Sequence, residues 1–473
     1  MEPGEDARLQ PLWSLREEVL LEVDEDTGEV TVCSSWDDTD LGVVGPAVLS
    51  LLQRMTLGPV SLENVLPTDA DREEIAAVLD RLGGCVVPSL GLGHTNELML
   101  SVLPLDRSVR FGPRPVGSAA VLRLSRFAGV RSSGNELWLE SPLSRYRVVA
   151  HEPRVAAMVS ALALPTTVAR LAAQLTVAES MAASVVGYLL GTGMLLVAAE
   201  ETAAGPTFAE DQAPALAAWP YHELMFHGRS RKGRLDAPTG IGTRYRRPVS
   251  TPAAVKPVPP GRRFPLDRPS RADLEATDRT LTQLLEDQRP AQPMARTLTV
   301  GQVGELLYRA ARVRSVTRTH EDGEEISDRP YPSVDGLYEL EVYLVTDRCA
   351  GLPTGVFHYD PLGHALTLVN PSAAEVGELL DEARVALGAA VRPLVLLAIT
   401  SRLSRLTKHY FGAAYSTTLR NTGLLQATLG FVAAAMGLSA TATRLGVDGL
   451  TERVLGLQWP VEVDVGEVAL SSS

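Results

Sequence analysis

Cysteine is scarce in this chain: three in 473 residues, Cys33, Cys85 and Cys349. They lie far apart and show no CxxC or other metal-ligand spacing, and three are too few for a disulfide framework. A reducing compartment, the cytoplasm, is therefore the expected setting. Long apolar runs are also missing. No stretch reads as about 18 uninterrupted apolar residues, so no membrane span is expected. The start, MEPGEDARLQ, is acidic and polar rather than signal-like. Positive charge is in deficit, with 44 Lys and Arg against 57 Asp and Glu. The resulting net charge of −13 argues against a nucleic-acid partner. Apolar residues at 45% and charged residues at 21% are ordinary for a folded chain and exclude general disorder. The length suggests about three domains.

An internal repeat is present in the first 200 residues. Leu20–Val32 alternates around an Asp-Thr-Gly turn, and Val121–Glu140 alternates around Ser-Gly-Asn. Both are hairpin signals. Each is followed by an apolar helix pattern opened by a proline, Pro46 in one and Pro153 in the other, where the missing N–H costs nothing. A short helix comes next (SLENVL; TTVARLAAQL), then a longer one, then Gly and an apolar strand (GGCVV; GTGMLLVA). This order predicts two winged-helix-like modules of the form β-β-α-α-α-β, over residues 1–108 and 117–205.

Composition changes at Arg229. From there to Arg268 the chain carries eleven Lys and Arg but only Asp236 and Asp267 as acids, with prolines crowded at PVSTPAAVKPVPPGRRFP. Such a stretch favours extended, solvated backbone, so residues 206–269 are predicted to connect rather than pack. The sharper reading is a basic arm on an acidic surface or near a phosphate.

Residues 270–473 mix helix and strand. Ser270, with Asp273 in the third helical place, caps a helix predicted to run to Glu286. Thr299 opens another, and SAAEVGELLDEARVALG a third. LYELEVYLV, GVFHYD, ALTLV, PLVLLAIT and EVDVGEVAL read as strands. At least one of the alternating Glu339 and Glu341 is expected on a solvated face. Leu419–Met436 is apolar nearly all round and predicts a central helix.

RPYPSVDGLYELEVYL from Arg329 and GVFHYDPLGHALTL from Gly355 resemble the SagB-type peptide azoline dehydrogenases, in the FMN-dependent nitroreductase-like superfamily. FHGRSRKGRLDAP, GELLYRAARVRS, HYFGAAY and AAAMGLSA, with RLSRFAGVRSSGNELWLESPLS in the second module, extend the resemblance over nearly the whole chain. It implies an α+β fold in which two winged-helix-like, peptide-recognising modules precede a nitroreductase-like FMN domain over 270–473. It implies oxidation of thiazoline or oxazoline rings to azoles in a ribosomally made precursor peptide. The implied partners are that azoline-containing peptide, a YcaO-type cyclodehydratase and a leader-peptide-binding protein. A homodimer, or a heterodimer with a homologue, is implied too, with FMN at the interface.

Site residues follow from the same resemblance. A family Lys-Tyr pair falls within Lys408–Tyr415. Aligning on Gly412 and Tyr415 places Tyr410 on the tyrosine and His409 on the lysine; a one-residue slip gives the lysine role to Lys408 instead. His409 suits the work of a base near neutral pH without tuning, and Tyr410 either orients the proton or serves as base through a lowered pKa. The family's Arg- and Ser-rich phosphate grip corresponds to Gln288–Gln292, where Arg289 survives and Gln292 replaces an arginine; Arg444 is a compensating candidate. Pro332, Ser333, Asp335, Gly336 and Tyr338 match the segment laid along the isoalloxazine, with Val334 and Asp335 in place of two glycines. No metal site is implied. Two further readings stay open: a non-catalytic scaffold subunit of an azole-forming complex, and a general flavin reductase.

Overall fold

The computed structural model describes residues 9–62, 68–93, 97–203, 205–230, 251–286, 297–319, 324–407, 409–410, 412–443, 445 and 449–472. The chain divides into two compact units, Met1–Gly240 and Ile241–Ser473.

In the first unit the repeat is visible as structure. Its first half contains strands β1 (Leu9–Leu15), β2 (Leu20–Val23), β3 (Glu29–Cys33) and β4 (Thr39–Val43), helices α1 (Pro46–Leu57) and α2 (Asp69–Leu82), and strands β5 (Val86–Leu92) and β6 (Leu98–Pro104). Its second half has β7 (Val121–Leu124), β8 (Gly129–Ser133), β9 (Glu136–Glu140), β10 (Tyr146–Ala150), α3 (Pro153–Ala161), β11 (Thr166–Thr167), α4 (Val168–Leu175), α5 (Glu179–Gly191) and β12 (Leu195–Val197). Short elements follow: β13 (Glu200–Thr202), β14 (Gly205–Thr207), α6 (Ala209–Gln212), α7 (Pro214–Ala217) and α8 (Tyr221–Arg229).

Proline occupies the first turn of α1 and of α3, as the sequence predicts. Thr68 and Asp71 form a reciprocal capping box at α2, and Thr167 caps α4. Most of the expected helix SLENVL lies outside the described residues. In each half the opening strand pairs antiparallel with the strand that closes the repeat, β1 with β5 and β7 with β12. The halves then differ. β4 pairs with β3, whereas β10 pairs with both β9 and β6 and so joins the halves in one six-stranded sheet, β1-β5-β6-β10-β9-β8. Leu51, Leu52 and Met55 of α1 fill the first core, and Met158, Leu171 and Val185 the second.

The second unit is built on a seven-stranded antiparallel sheet. Its elements are β15 (Arg263–Pro265), α9 (Arg271–Thr277), α10 (Leu281–Glu286), β16 (Leu298–Thr299), α11 (Val300–Ala311), β17 (Ser315–Arg318), β18 (Glu325–Asp328) and β19 (Leu340–Thr346). There follow β20 (Cys349–Ala350), β21 (Gly355–Asp360), β22 (Ala365–Asn370), α12 (Ala373–Ala386), β23 (Val395–Ser401), α13 (Ser404–Thr407), α14 (Ala414–Ala435), β24 (Leu438–Thr443), α15 (Leu450–Leu455) and β25 (Val463–Ser472). The strand order is β15-β22-β21-β19-β23-β25-β24.

Both faces of this sheet are covered, which is why β23 reads as a mainly apolar run. Val342 and Leu344 of β19 pack with Leu306 of α11 and Leu429 of α14; Tyr343 and Val345, pointing the other way, pack with Leu379 of α12 and Val454 of α15. The mixed helix and sheet content agrees with the α+β expectation.

Three expectations are corrected here. The helix capped by Ser270 stops at Thr277, and a separate one covers Leu281–Glu286. Glu339 and Glu341 are both buried, because each carboxylate has its own internal partners. The described part of 206–269 is partly packed as well as solvated: α8 precedes residue 230, β15 pairs with β22, and Ala254 is fully buried. Buried arginines explain this. The carbonyls of Pro252, Ala253 and Ala254 accept from Arg405, Arg402 and Arg329 and so satisfy guanidinium groups that water does not reach.

Candidate functional site

The candidate site lies in the second unit, where residues 332–338 meet the segment between α13 and α14. Backbone geometry sets this loop apart. Asp335, Gly336 and Tyr338 have φ of 53°, 67° and 47°, left-handed values that cost little for glycine and more for the other two. The loop is held from beneath. Asn421, fully buried in α14, accepts from the Val334 amide at 2.9 Å, and its own amide donates to both Glu339 carboxylate oxygens at 3.1 Å. Burial pushes the Glu339 carboxyl above its ordinary range.

Tyr338 does not face the candidate proton handlers. Its hydroxyl donates to the Tyr331 carbonyl at 3.0 Å, while its backbone N–H reaches Ser333 Oγ at 3.4 Å. Pro332 and Asp335 are exposed. A side chain at Gly336 would meet nothing within 4 Å, so open space lies beside the backbone there.

Tyr410 closes the other side. It is buried with Leu337, Leu406 and Ala414, and its hydroxyl donates to the Asp335 carboxylate. Burial, with the Asp335 carboxylate next, pushes the Tyr410 phenol well above its ordinary range. This direction is opposite to the lowered pKa expected for a Tyr410 base. His409 is partly exposed; its Nε2 stands 3.1 Å from the buried Glu324 carboxylate. The structure thus brings Tyr410 against Asp335 and Leu337, with His409 alongside in sequence and held by Glu324. Lys408, Arg289, Gln292 and Arg444 lie outside the described residues.

A layer of buried charge supports the site. Arg405, with no exposed surface, donates to the carbonyls of Leu337, Pro252 and Glu325, and burial lowers its pKa to about 10. Arg402 Nη2 stands 2.7 Å from the Glu341 carboxylate, to which His358 Nε2 donates at 3.3 Å. Burial opposes the charge on Glu341; the His358 hydrogen bond and the Arg402 and Arg329 cations outweigh it and hold its carboxyl down at about 2. Sequence reasoning missed Glu324, Asn421, Arg402 and Arg405 as supports. Only Asn421 left a signal, as an amide inside an apolar helix.

Among the described residues no helix is long and apolar enough to cross a membrane. Residues 122–236 match the family model of the cyanobactin oxidase ThcOx. The SagB-type, nitroreductase-like resemblance read from the sequence is borne out by this match, which falls wholly in the first unit. No curated protein matches the chain. Among solved structures, one similar chain is a nitroreductase-type protein of Anabaena variabilis, at 18% identity over 41% of this chain and 44% of that one, with a TM-score of 0.32. This chain therefore spans less than half of that protein's length. A nitroreductase-type protein of Ralstonia eutropha is similar at 20% identity over 46% of this chain and 96% of that one, with a TM-score of 0.35. The E. coli microcin synthetase McbBCD complex with truncated pro-MccB17 bound is similar at 19% identity over 41% of this chain and 73% of that one, with a TM-score of 0.32.

Proposed function

We propose that this protein is an FMN-dependent oxidoreductase that converts azoline rings of a ribosomally made precursor peptide to azoles. The match of residues 122–236 to a cyanobactin oxidase model carries this reading. The second unit's loop site supports it. Residues 332–338 offer open space at Gly336, and a loop clamped by Asn421 suits the planar edge of a flavin ring. Arg289, Gln292 and Arg444 are proposed for the phosphate. FMN, when bound, supplies the two-electron acceptor for the ring's hydride. The chain's own part is to orient the peptide and take the adjacent ring proton. His409, steadied by Glu324, is the proposed base. Tyr410, still protonated and tied to Asp335, positions the loop. Should the alignment slip by one residue, Lys408 takes the base role.

The two repeats of the first unit are proposed as winged-helix-like modules, 1–108 and 117–205, that grip the precursor's leader. A YcaO-type cyclodehydratase and a leader-binding protein are the proposed partners. A second copy or a homologue is proposed on α14, whose Tyr415, Leu419 and Leu424 are exposed apolar side chains.

The test is direct. A purified protein that is yellow, releases FMN on heating and removes two hydrogens per azoline ring supports the enzyme. A colourless protein that ignores added FMN supports the second reading, a scaffold subunit. That reading is favoured by the engagement of both candidate proton handlers, His409 by Glu324 and Tyr410 by Asp335.

A further inference from the structure

A cavity of about 280 Å³ opens in the second unit, between the C-terminal end of α11 and the β21–β22 turn. Three guanidinium groups line it: Arg268, Arg312 and Arg314. Tyr308 and His364 complete its polar wall.

The charge here is poorly balanced. Arg268 donates to the carbonyls of Leu362 and Gly363, both at 3.3 Å. Arg312 donates to the Tyr308 carbonyl at 2.6 Å and lies over the Tyr308 ring, 4.4 Å from its centre. Among the described residues neither has a carboxylate ion partner. Arg314 has one, Asp328, at 3.4 Å, but both side chains are about half exposed and the pair is weak. The nearby Asp360 is already engaged. It pairs with Arg263 and accepts the Leu362 and Gly363 amides at the turn. His364 is buried and fixed on both ring nitrogens, by the Tyr359 hydroxyl at 2.9 Å and the Asp267 carbonyl at 3.0 Å. The wall is therefore built rather than loose.

We infer that this cavity is a binding site for a phosphate monoester dianion. Two cations without acidic partners call for about two negative charges, which a phosphate monoester carries near neutral pH and a single carboxylate does not. Guanidinium groups meet phosphate oxygens through paired, charge-assisted hydrogen bonds, and the Tyr308 ring gives a wall for an organic substituent. The volume exceeds what a bare phosphate fills, so an ester is the better fit. None of the residues placed along the flavin ring lines this cavity, and the inference does not depend on the azole chemistry.

The experiment is isothermal titration of the full chain with inorganic phosphate, glycerol phosphate and acetate. Phosphate and its ester should bind, and acetate should bind at least about tenfold more weakly. Arg268→Ala, at an exposed side chain, and Arg312→Ala should each weaken phosphate by about ten- to a hundredfold. Arms with FMN and riboflavin identify the source. FMN binding lost in both Arg variants would make the dianion a flavin's own phosphate; FMN binding kept, with inorganic phosphate lost, would make it a separate ligand. Equal affinity for acetate, or undiminished phosphate binding by folded Arg268→Ala, overturns the proposal.

Discussion

His409 Nε2 stands 3.1 Å from the carboxylate of Glu324, a residue 85 positions earlier in the chain. The side chain of Glu324 is 6% exposed and that of His409 34%, which leaves the imidazole anchored on one side and open on the other. A proposed base needs that combination of orientation and access. Removing it with His409→Ala should slow azole formation by about 10²–10⁴ without loss of FMN. His409→Lys, restoring the residue of the resembled family, should retain substantial activity. Lys408→Ala is the control for register, scored by mass spectrometry on a reconstituted reaction. If it abolishes turnover while His409→Ala is silent, the alignment slips by one.

Tyr410→Phe tests positioning against proton transfer. The phenol keeps its proton, so its removal takes away a hydrogen bond to Asp335 rather than a base. Stability should fall by about 1 kcal/mol, since the Asp335 end of the bond is exposed. The pH profile of turnover should keep its shape. A profile whose basic limb vanishes in Tyr410→Phe would show that the phenol titrates in catalysis after all.

Much of the fold was legible because it depends on local signals. Thr299 with Gln302, Ser372 and the two helix-opening prolines mark helix starts that the structure keeps. Leu340–Thr346 was legible as a strand, but not its burial by helices on both faces. The supports of the site were not legible in the same way. Glu324 and His409, or Glu339 and Asn421, meet only through chain folding, and no spacing announces them. Glu341 looked like a solvated alternate because its answering charges, Arg329 and Arg402, lie 12 residues before it and 61 after it. The loss of the linker reading has the same origin: the need of buried arginines for the carbonyls at 252–254 is invisible in composition.

The first unit should bind peptide and not DNA. Its acidic runs at residues 22–29 and 69–74 repel a phosphate backbone. A chain lacking residues 1–240 is expected to keep any flavin and to lose rate on the full-length precursor far more than on a leaderless core peptide. Tight, salt-sensitive binding of the intact protein to duplex DNA would refute this.

Glu339 and Glu341 should respond unequally to neutralisation. Glu341 is held ionised by Arg402, Arg329 and His358, so Glu341→Gln leaves buried cations unanswered and should cost about 3–5 kcal/mol. Its depressed pKa contributes stability that is present above the ordinary carboxylate range and is lost as pH falls toward about 2. Glu339 is disfavoured as an anion by burial. Glu339→Gln keeps an acceptor for Asn421 and should cost under about 1 kcal/mol. Urea midpoints measured side by side decide it, and equal losses would sink the contrast.

The sharpest pH dependence should come from Asp464. It sits in β25 beside a bulge, where the register shifts between Ile399 and Thr400. Its Oδ1 is buried with no hydrogen-bond partner. Burial first, and the neighbouring Glu467 carboxylate second, push the Asp464 carboxyl up to about 9. Glu467 accepts the Leu445 amide at 3.2 Å, and burial raises its carboxyl too. At neutral pH Asp464 therefore holds a proton that the unfolded chain releases near pH 4. A raised pKa of this kind gives stability that is full below the unfolded value and drains away as pH rises through about 9. The thermal midpoint should thus fall between pH 5 and pH 9, with a slope from this group of at most about 1.4 kcal/mol per pH unit. Asp464→Asn carries no titrating proton and should flatten that slope while changing stability little near pH 5. Parallel curves for the two proteins would mean that Asp464 is ionised in the folded state.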